Sequence, residues 1–389
     1  LQSIDLTQPV DYVDPQGGGD YYTAGAQLSK ITDQNGGSSN VTVSPIPYFE
    51  DVFPYMANTD FQGESATQAI YSDEWAPQRS DFGATEVLQD IDFGPSCQYY
   101  GCPGGANHQS RFWQDQFSSL YALATIGMSY YNAAQVTLHH PPKHGLQFDV
   151  NYTFSKSLDW GSDAERNGAG NTVAAHIIDT WHPGLNLAPS DFDTRHLLSV
   201  NFVDQLPFGK GKALLASAKP VVNAVVGGWQ LSGIYRMTSG LPTSFFEAVY
   251  DTDYQYGSYA VVTDPSQVKT KRYFDSSGNP QYFANPSAID NGAATGSPVR
   301  QGYPGEAGQR NNIRGDGYLD LDTGLSKSRS LARYGVLKFS WEVYNVTNTV
   351  RFDPTYINTL IYYGGESFGR SDTELTVPRR MQFSLRYDF

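Results

Sequence analysis

Apolar and polar residues alternate one for one through several segments of this chain. From Leu146 to Phe154 one face reads Leu146, Phe148, Val150, Tyr152, Phe154, and the other reads Gln147, Asp149, Asn151, Thr153. Successive side chains of a strand point to opposite faces, so period two predicts a strand with one oily and one wet face. Met381, Phe383, Leu385, Tyr387 and Phe389 alternate in the same way with Gln382, Ser384, Arg386 and Asp388. Leu337, Phe339, Trp341 and Val343 alternate with Lys338, Ser340, Glu342 and Tyr344, and Leu319, Leu321, Thr323 and Leu325 with Asp320, Asp322 and Ser326. The rhythm is looser in three places. Trp229, Leu231, Tyr235 and Met237 oppose Gln230, Ser232, Arg236 and Thr238; Leu198, Val200 and Phe202 oppose Ser199, Asn201 and Val203; Ala134, Val136 and Leu138 oppose Gln135, Thr137 and His139.

The connections between these strands are unequal. His140–Gly145, Pro207–Ala218 and Arg329–Tyr334 are short, whereas Asp159–Asp193, Ser239–Gly315 and Asn348–Arg379 are long. Alternate short and long links are the rhythm of an antiparallel up-and-down transmembrane β-barrel with short turns at one end and long external loops at the other. A soluble sandwich, with one strand face on a core and the other in water, is the alternative that alternation alone leaves open. The aromatics at strand ends (Tyr130, Tyr131, Trp160, Trp229, Trp341, Tyr387, Phe389) favour the membrane. Residues 1–125 differ from 126–389: they are rich in Asp, Gln, Gly and Pro, with helical spacing at Tyr21–Ile31, Ser65–Tyr71 and Ala84–Asp92. They read mainly as an extracellular loop region with short helices, its first residues the tail of a strand.

Composition narrows the classes. A net charge of −14 offers no basic stripe for phosphates, so no nucleic-acid partner is expected. Aromatics make up 14% of the chain, 27 of them Tyr, which a disordered polypeptide would lack. No apolar run reaches the length of a spanning helix, but barrel strands need only about 9–11 residues with every second one apolar. The chain opens on Leu1 without a signal sequence and is expected to be processed or truncated there. Cys97 and Cys102 suggest a local disulfide and an oxidising compartment. A metal site would need two more ligands, with only His108 close in sequence, and free thiols remain a third option.

A set of segments resembles Oar-like TonB-dependent outer-membrane receptors, in order along nearly the whole chain. They are SATQAIY (Ser65–Tyr71), FSSLYALATIGMSYYNAAQVTL (Phe117–Leu138), GLQFDVNYTFSKSLDW (Gly145–Trp160), SDFDTRH (Ser190–His196), LPFGKGK (Leu206–Lys212), GGWQLSGIYRMTSGLP (Gly227–Pro242), LDLDTGLSKS (Leu319–Ser328), VLKFSWEVYNVTN (Val336–Asn348) and RRMQFSLRYDF (Arg379–Phe389). Each motif is weak alone; the ordered set is specific. The resemblance implies an all-β fold, the C-terminal portion of a barrel of about 22 strands. It also implies a preceding plug and earlier barrel strands in the same polypeptide, a TonB complex as energy source, and an outer membrane of a Gram-negative bacterium. An alternating aromatic strand with Phe383, Leu385, Tyr387 and Phe389 resembles the signal read by the barrel-assembly machinery.

Other residues are weighed against plainer roles. Asp149, Asn151, Arg236, Asp320, Asp322 and Glu342, with Gln147 and Lys338, are candidates to face a wet lumen. Asp251, Asp253 and Asp264 offer hard oxygen ligands for Ca²⁺ in a long loop, although no EF-hand spacing supports it and a solvated acidic loop is the plainer reading. Asp191, Asp193, Arg195 and His196 suggest either acid–base chemistry or ion pairs at a strand start. Arg314–Gly315–Asp316 spells RGD, where a turn is the expected role and an adhesion site the alternative. No HExxH or Walker loop occurs, and no catalytic residues and no resident cofactor are expected. Two functions follow: energised uptake of a large or scarce nutrient through a plugged barrel, with an unknown external ligand, or a structural or adhesion role at the cell surface.

Overall fold

A computed structural model describes residues 2–5, 13–78, 83–92, 121–162, 177–179, 182–247, 259–290, 296–306, 308–361, 367–371 and 373–389. Cys97, Cys102, His108, Asp251 and Asp253 lie outside these residues.

The alternating segments become strands of one sheet. A short pair comes first: β1 (Gln2–Asp5), at the place expected for a strand tail, runs antiparallel to β2 (Tyr121–Ala124). Seven long strands follow: β3 (Ser129–Lys143), β4 (Leu146–Asp159), β5 (His196–Gln205), β6 (Trp229–Thr238), β7 (Leu319–Ser330), β8 (Val336–Tyr344) and β9 (Arg380–Asp388). Each pairs antiparallel with the next in the chain, so the topology is up and down throughout. Among the described residues β3 and β9 each have one long-strand neighbour, and the sheet is open.

Residues directly opposite one another share a face, so the register reports sidedness. Leu138, Val150, Val200, Tyr235 and Leu321 form one row across five strands. One residue further along, the row reads His139, Asp149, Asn201, Ile234 and Asp322. Leu231, Leu325, Trp341 and Phe383 form another apolar row, with Trp341 and Phe383 stacked at 5.9 Å. Oily side chains on this face remain uncovered: Val136 is 62% exposed and Leu385 69%. A soluble sandwich would bury such rows under a second layer, whereas a sheet in lipid leaves them bare. This excludes the sandwich.

The short connections all lie at one end. Between β3 and β4 the chain reverses through His144 and Gly145, both at positive φ, as a two-residue hairpin requires. At the other end the long connections are folded bodies rather than open loops. Pro242–Thr243 pairs with Ile313–Arg314, and Phe246–Glu247 runs parallel to Leu360–Ile361, joining two different connections. Phe368 stacks on Phe245 and on Phe283, which meet each other at a tilt, within a core that also buries Tyr282, Ile289, Val299, Phe352 and Ile357.

Residues 13–92 contribute a helical body. It comprises α1 (Tyr21–Gln34), α2 (Pro47–Val52), α3 (Ala66–Ala69), a π-helical turn over Ile70–Trp75, α4 (Ala76–Gln78) and α5 (Gly83–Asp92). Asp20 caps α1 by accepting from the Thr23 N–H at 2.6 Å. Glu50 accepts from the N–H groups of Ala66 and Thr67, at 3.1 and 2.9 Å, and so satisfies the free donors that open α3. Tyr21, Leu28, Tyr48, Phe49, Phe53, Met56, Ile70, Tyr71, Trp75 and Leu88 are buried together. The sequence marks three of these helices by spacing but not the aromatic segment Pro47–Met56, too short to show a period, which fills their middle. Gly25 lets α1 approach Trp75, because a Cβ there would stand 2.5 Å from the indole. The helical body meets the β6–β7 connection where Lys30 lies over the Tyr303 ring at 5.4 Å.

One titration in this body has a testable consequence. Burial, with Asp90 and Asp73 nearby, pushes the Glu74 carboxyl from 4.5 up to about 7, while Gln78 donates to Glu74 and, at 2.9 Å, to Asp90. An acid whose folded value is raised loses stability as it ionises, so residues 13–92 should loosen as pH rises from about 4.5 to about 7. Glu74→Gln is expected to flatten that dependence. Hydrogen exchange of α5 at pH 5 and pH 8 measures it, and an equal slope in the variant would refute the assignment.

Candidate functional site

The sheet and its folded connections present two polar regions. The first is the wet face. Asp149, Asn151, Arg236, Asp320, Asp322 and Glu342 all fall on it, as do Gln147 and Lys338. Asn151, Ser199, Arg236 and Asp320 stand in a single row over four adjacent strands. Neighbours take up part of their hydrogen-bonding capacity: Thr137 donates to Asn151 at 3.0 Å, Tyr318 to Asp320 at 2.9 Å, and the Asn345 N–H to Asp322 at 2.9 Å. His139 reaches the Asp149 carboxylate across β3 and β4. A groove of about 390 Å³ runs over Gln147, Asp149, Asn201, Ser232, Asp322 and Glu342. Such a surface has the chemistry to take up water and polar solutes. It brings no nucleophile beside a base, and among the described residues no group of three or more His, Cys, Asp or Glu is placed to hold a metal.

The second region is at the long-loop end, where two arginines bind three stretches of chain together. Arg310, whose side chain is 2% exposed, pairs with Asp159 at the end of β4 and with Asp191 at 3.1 Å. It also donates to the carbonyl of Asp159 at 2.9 Å. Asn311 donates to the Pro189 carbonyl and to Asp191, at 2.7 and 2.6 Å. Arg314 pairs with Asp193 and donates to the carbonyls of Asp193 and Gly240, at 2.8 and 3.0 Å. Asp193 in turn accepts from the Ser157 N–H at 2.7 Å. Burial pushes the Tyr259 hydroxyl far above the ordinary tyrosine range, against the opposing effect of Arg310. Asp191 and Asp193 therefore hold a strand start by ion pairs. His196 takes part in a hydrogen bond with the Tyr152 hydroxyl at 2.8 Å and is not joined to them.

The same geometry disposes of RGD as an adhesion motif. Arg314 is committed to Asp193, while Asp316 accepts from the Phe352 N–H at 3.1 Å and pairs with Arg272 at 3.2 Å. Gly315 packs so closely on Pro354 that a Cβ would stand 2.1 Å away. An adhesion loop needs both charges free at an open tip. Asp264, the described member of the calcium candidates, caps a short turn: hydrogen bonds from Ser266 and Gln267 hold its carboxyl below the ordinary range. Local spacing gave no signal for Arg310, whose partners Asp159 and Asp191 lie 151 and 119 positions away.

Comparison with known proteins agrees with the sheet. A family described as "Outer membrane beta barrel domain" matches residues 56–382. Neither a curated protein nor a solved structure matches the chain. The match covers the later part of the helical body, from Met56 onward, and six of the long strands, and it reaches into the seventh. The chain belongs to the outer membrane beta barrel domain family.

Proposed function

We propose that this chain is the C-terminal barrel part of an Oar-like TonB-dependent receptor in the outer membrane of a Gram-negative bacterium, with its long loops outside. The observation that carries the reading is a mainly polar wall beneath a mouth whose connections are folded and tied to the strand ends. A wall of that kind suits the inside of a wide barrel holding a plug, and a structured mouth suits capture of a large solute. The ordered motifs from Ser65 to Phe389 supply the specific likeness. Sheet edges do not stay unpaired in lipid, so β3 and β9 need further strands, which the same polypeptide would supply with its plug. Phe383, Leu385 and Tyr387 on β9 and Phe389 directly after it are exposed, where the barrel-assembly machinery would reach them. Outer-membrane lipid and the TonB complex complete the partners, and the protein performs no catalysis.

Deleting the gene in its source bacterium, then following uptake of a panel of metal chelates and oligosaccharides with and without a protonophore, tests the reading. Uptake of at least one member should fall on deletion and fall equally with the protonophore. Uptake insensitive to both across the panel, with loss of surface attachment instead, would favour a structural or adhesion protein.

A further inference from the structure

The oily face carries one appendage, at the short-turn end. Residues 206–228, between β5 and β6, fold around a short helix, α6 (Pro220–Val226). Asn223 organises the fold by accepting from the Lys210 N–H at 2.6 Å, and Gly227 packs so tightly on it that a Cβ would meet its side-chain oxygen at 2.4 Å.

The placement of α6 is fixed from the sheet. Trp229 and Lys327 stand opposite each other in register, two residues from Leu231 and Leu325, and so share the oily face. Trp229 Nε1 donates to the Val225 carbonyl at 2.8 Å. Lys327 Nζ donates to the carbonyls of Ala224 and Val225, at 2.6 and 3.0 Å, and lies 5.2 Å from the Trp229 ring. The helix therefore lies on the lipid side of the strands, not over the polar wall. Its valines point away from the protein: Val221 is 78% exposed and Val225 67%, and Val222, Leu214 and Leu215 are exposed beside them.

Charge completes the picture. Residues 206–228 contain Lys210, Lys212 and Lys219 and no acid, in a chain with 40 acidic and 26 basic residues. The other short connections repeat the bias, with Lys143 in His140–Gly145 and Arg329 and Arg333 in Arg329–Tyr334, again without an acid. Lys210, Lys212 and Lys219 are exposed and make no ion pair among the described residues. An apolar helix beside a tryptophan, continuous with a lipid-facing sheet and ringed by unneutralised lysines, has the chemistry of an interfacial anchor on anionic lipid.

We propose that the β5–β6 connection is a docking surface for anionic phospholipid. Val221, Val222 and Val225 enter the acyl boundary, and Lys210, Lys212 and Lys219 meet headgroup phosphates. This holds whatever the barrel carries.

The test uses the intact protein, purified from outer membranes and mixed with micelles of phosphatidylglycerol, phosphatidylcholine or lipid A, with retained lipid counted by native mass spectrometry. The wild type should retain phosphatidylglycerol at least about tenfold over phosphatidylcholine, since each lysine near an anionic surface contributes roughly a factor of five. Raising the salt should remove most of that excess. Combining Lys210→Gln, Lys212→Gln and Lys219→Gln should abolish it, while Val221→Ser with Val225→Ser should lower retention of both phospholipids. Heat-modifiable migration shows that each variant has folded. Equal retention of phosphatidylglycerol by wild type and the triple lysine variant, a salt-insensitive excess in the wild type, or preference for lipid A would each overturn the proposal.

Discussion

Arg310→Ala is expected to free the long connections from the strand ends while the sheet stays assembled. Arg310 is buried with Asp159, and its guanidinium is shared among two carboxylates and two backbone carbonyls. Removing one partner of a buried pair leaves the other charge without compensation, at a cost of about 3–5 kcal/mol. The sheet bears little of that cost, because its strands are joined by their own hydrogen bonds along their whole length and the pair touches only the last residue of β4. Instead Asp159 must regain water, which it can do only if 186–191 and 308–312 move apart. Limited proteolysis of intact protein in outer-membrane vesicles should show cleavage in these segments, with heat-modifiable migration unchanged. Replacing Arg310 by Met together with Asp159 by Leu removes both charges and should recover much of the protection. Protease resistance equal to wild type in Arg310→Ala would refute the role.

What was legible in the sequence follows the range of the forces concerned. The strands and their faces were readable because alternation is local: Leu146–Phe154 shows its two sides without knowledge of any neighbour. Register then required only that oily residues meet oily ones, and Val150 beside Val200 obeys this. The polar candidates came together on one face for the same reason. The mouth was not legible. Arg310 and Asp159, or Phe245 and Phe368, meet only after long segments have folded back, and no spacing rule spans such distances. The helical body stands between. Its periodic helices could be marked, but Phe49 and Phe53, which fill its core, lie in pieces too short to show a period. The appendage at α6 was passed over because a lysine-bearing, glycine-broken segment reads as an ordinary turn until Trp229 and Lys327 show on which side it lies.

Two adjacent substitutions separate the faces most sharply: Val200→Arg should impair assembly severely, and Asn201→Arg should be tolerated. Val200 lies between Val150 and Tyr235 near the middle of β5, on the oily face. An arginine facing lipid at the bilayer midplane costs about 2–4 kcal/mol, which lowers the folded-to-unfolded ratio by tens- to a thousandfold. Asn201 lies between Asp149 and Ile234, with Asp322 in the same row. A cation there meets a wet wall and two carboxylates, so its desolvation is small and its field is favourable. The chain contains its own control, since Lys327 is a cation on the oily face. It survives there because it stands near the short-turn end, with its ammonium on the carbonyls of α6 and over the Trp229 ring. Depth, not sign alone, decides the cost. The heat-modifiable fraction in outer membranes reads both variants, and equal tolerance of the two, or the reverse order, would show that the oily rows do not face lipid.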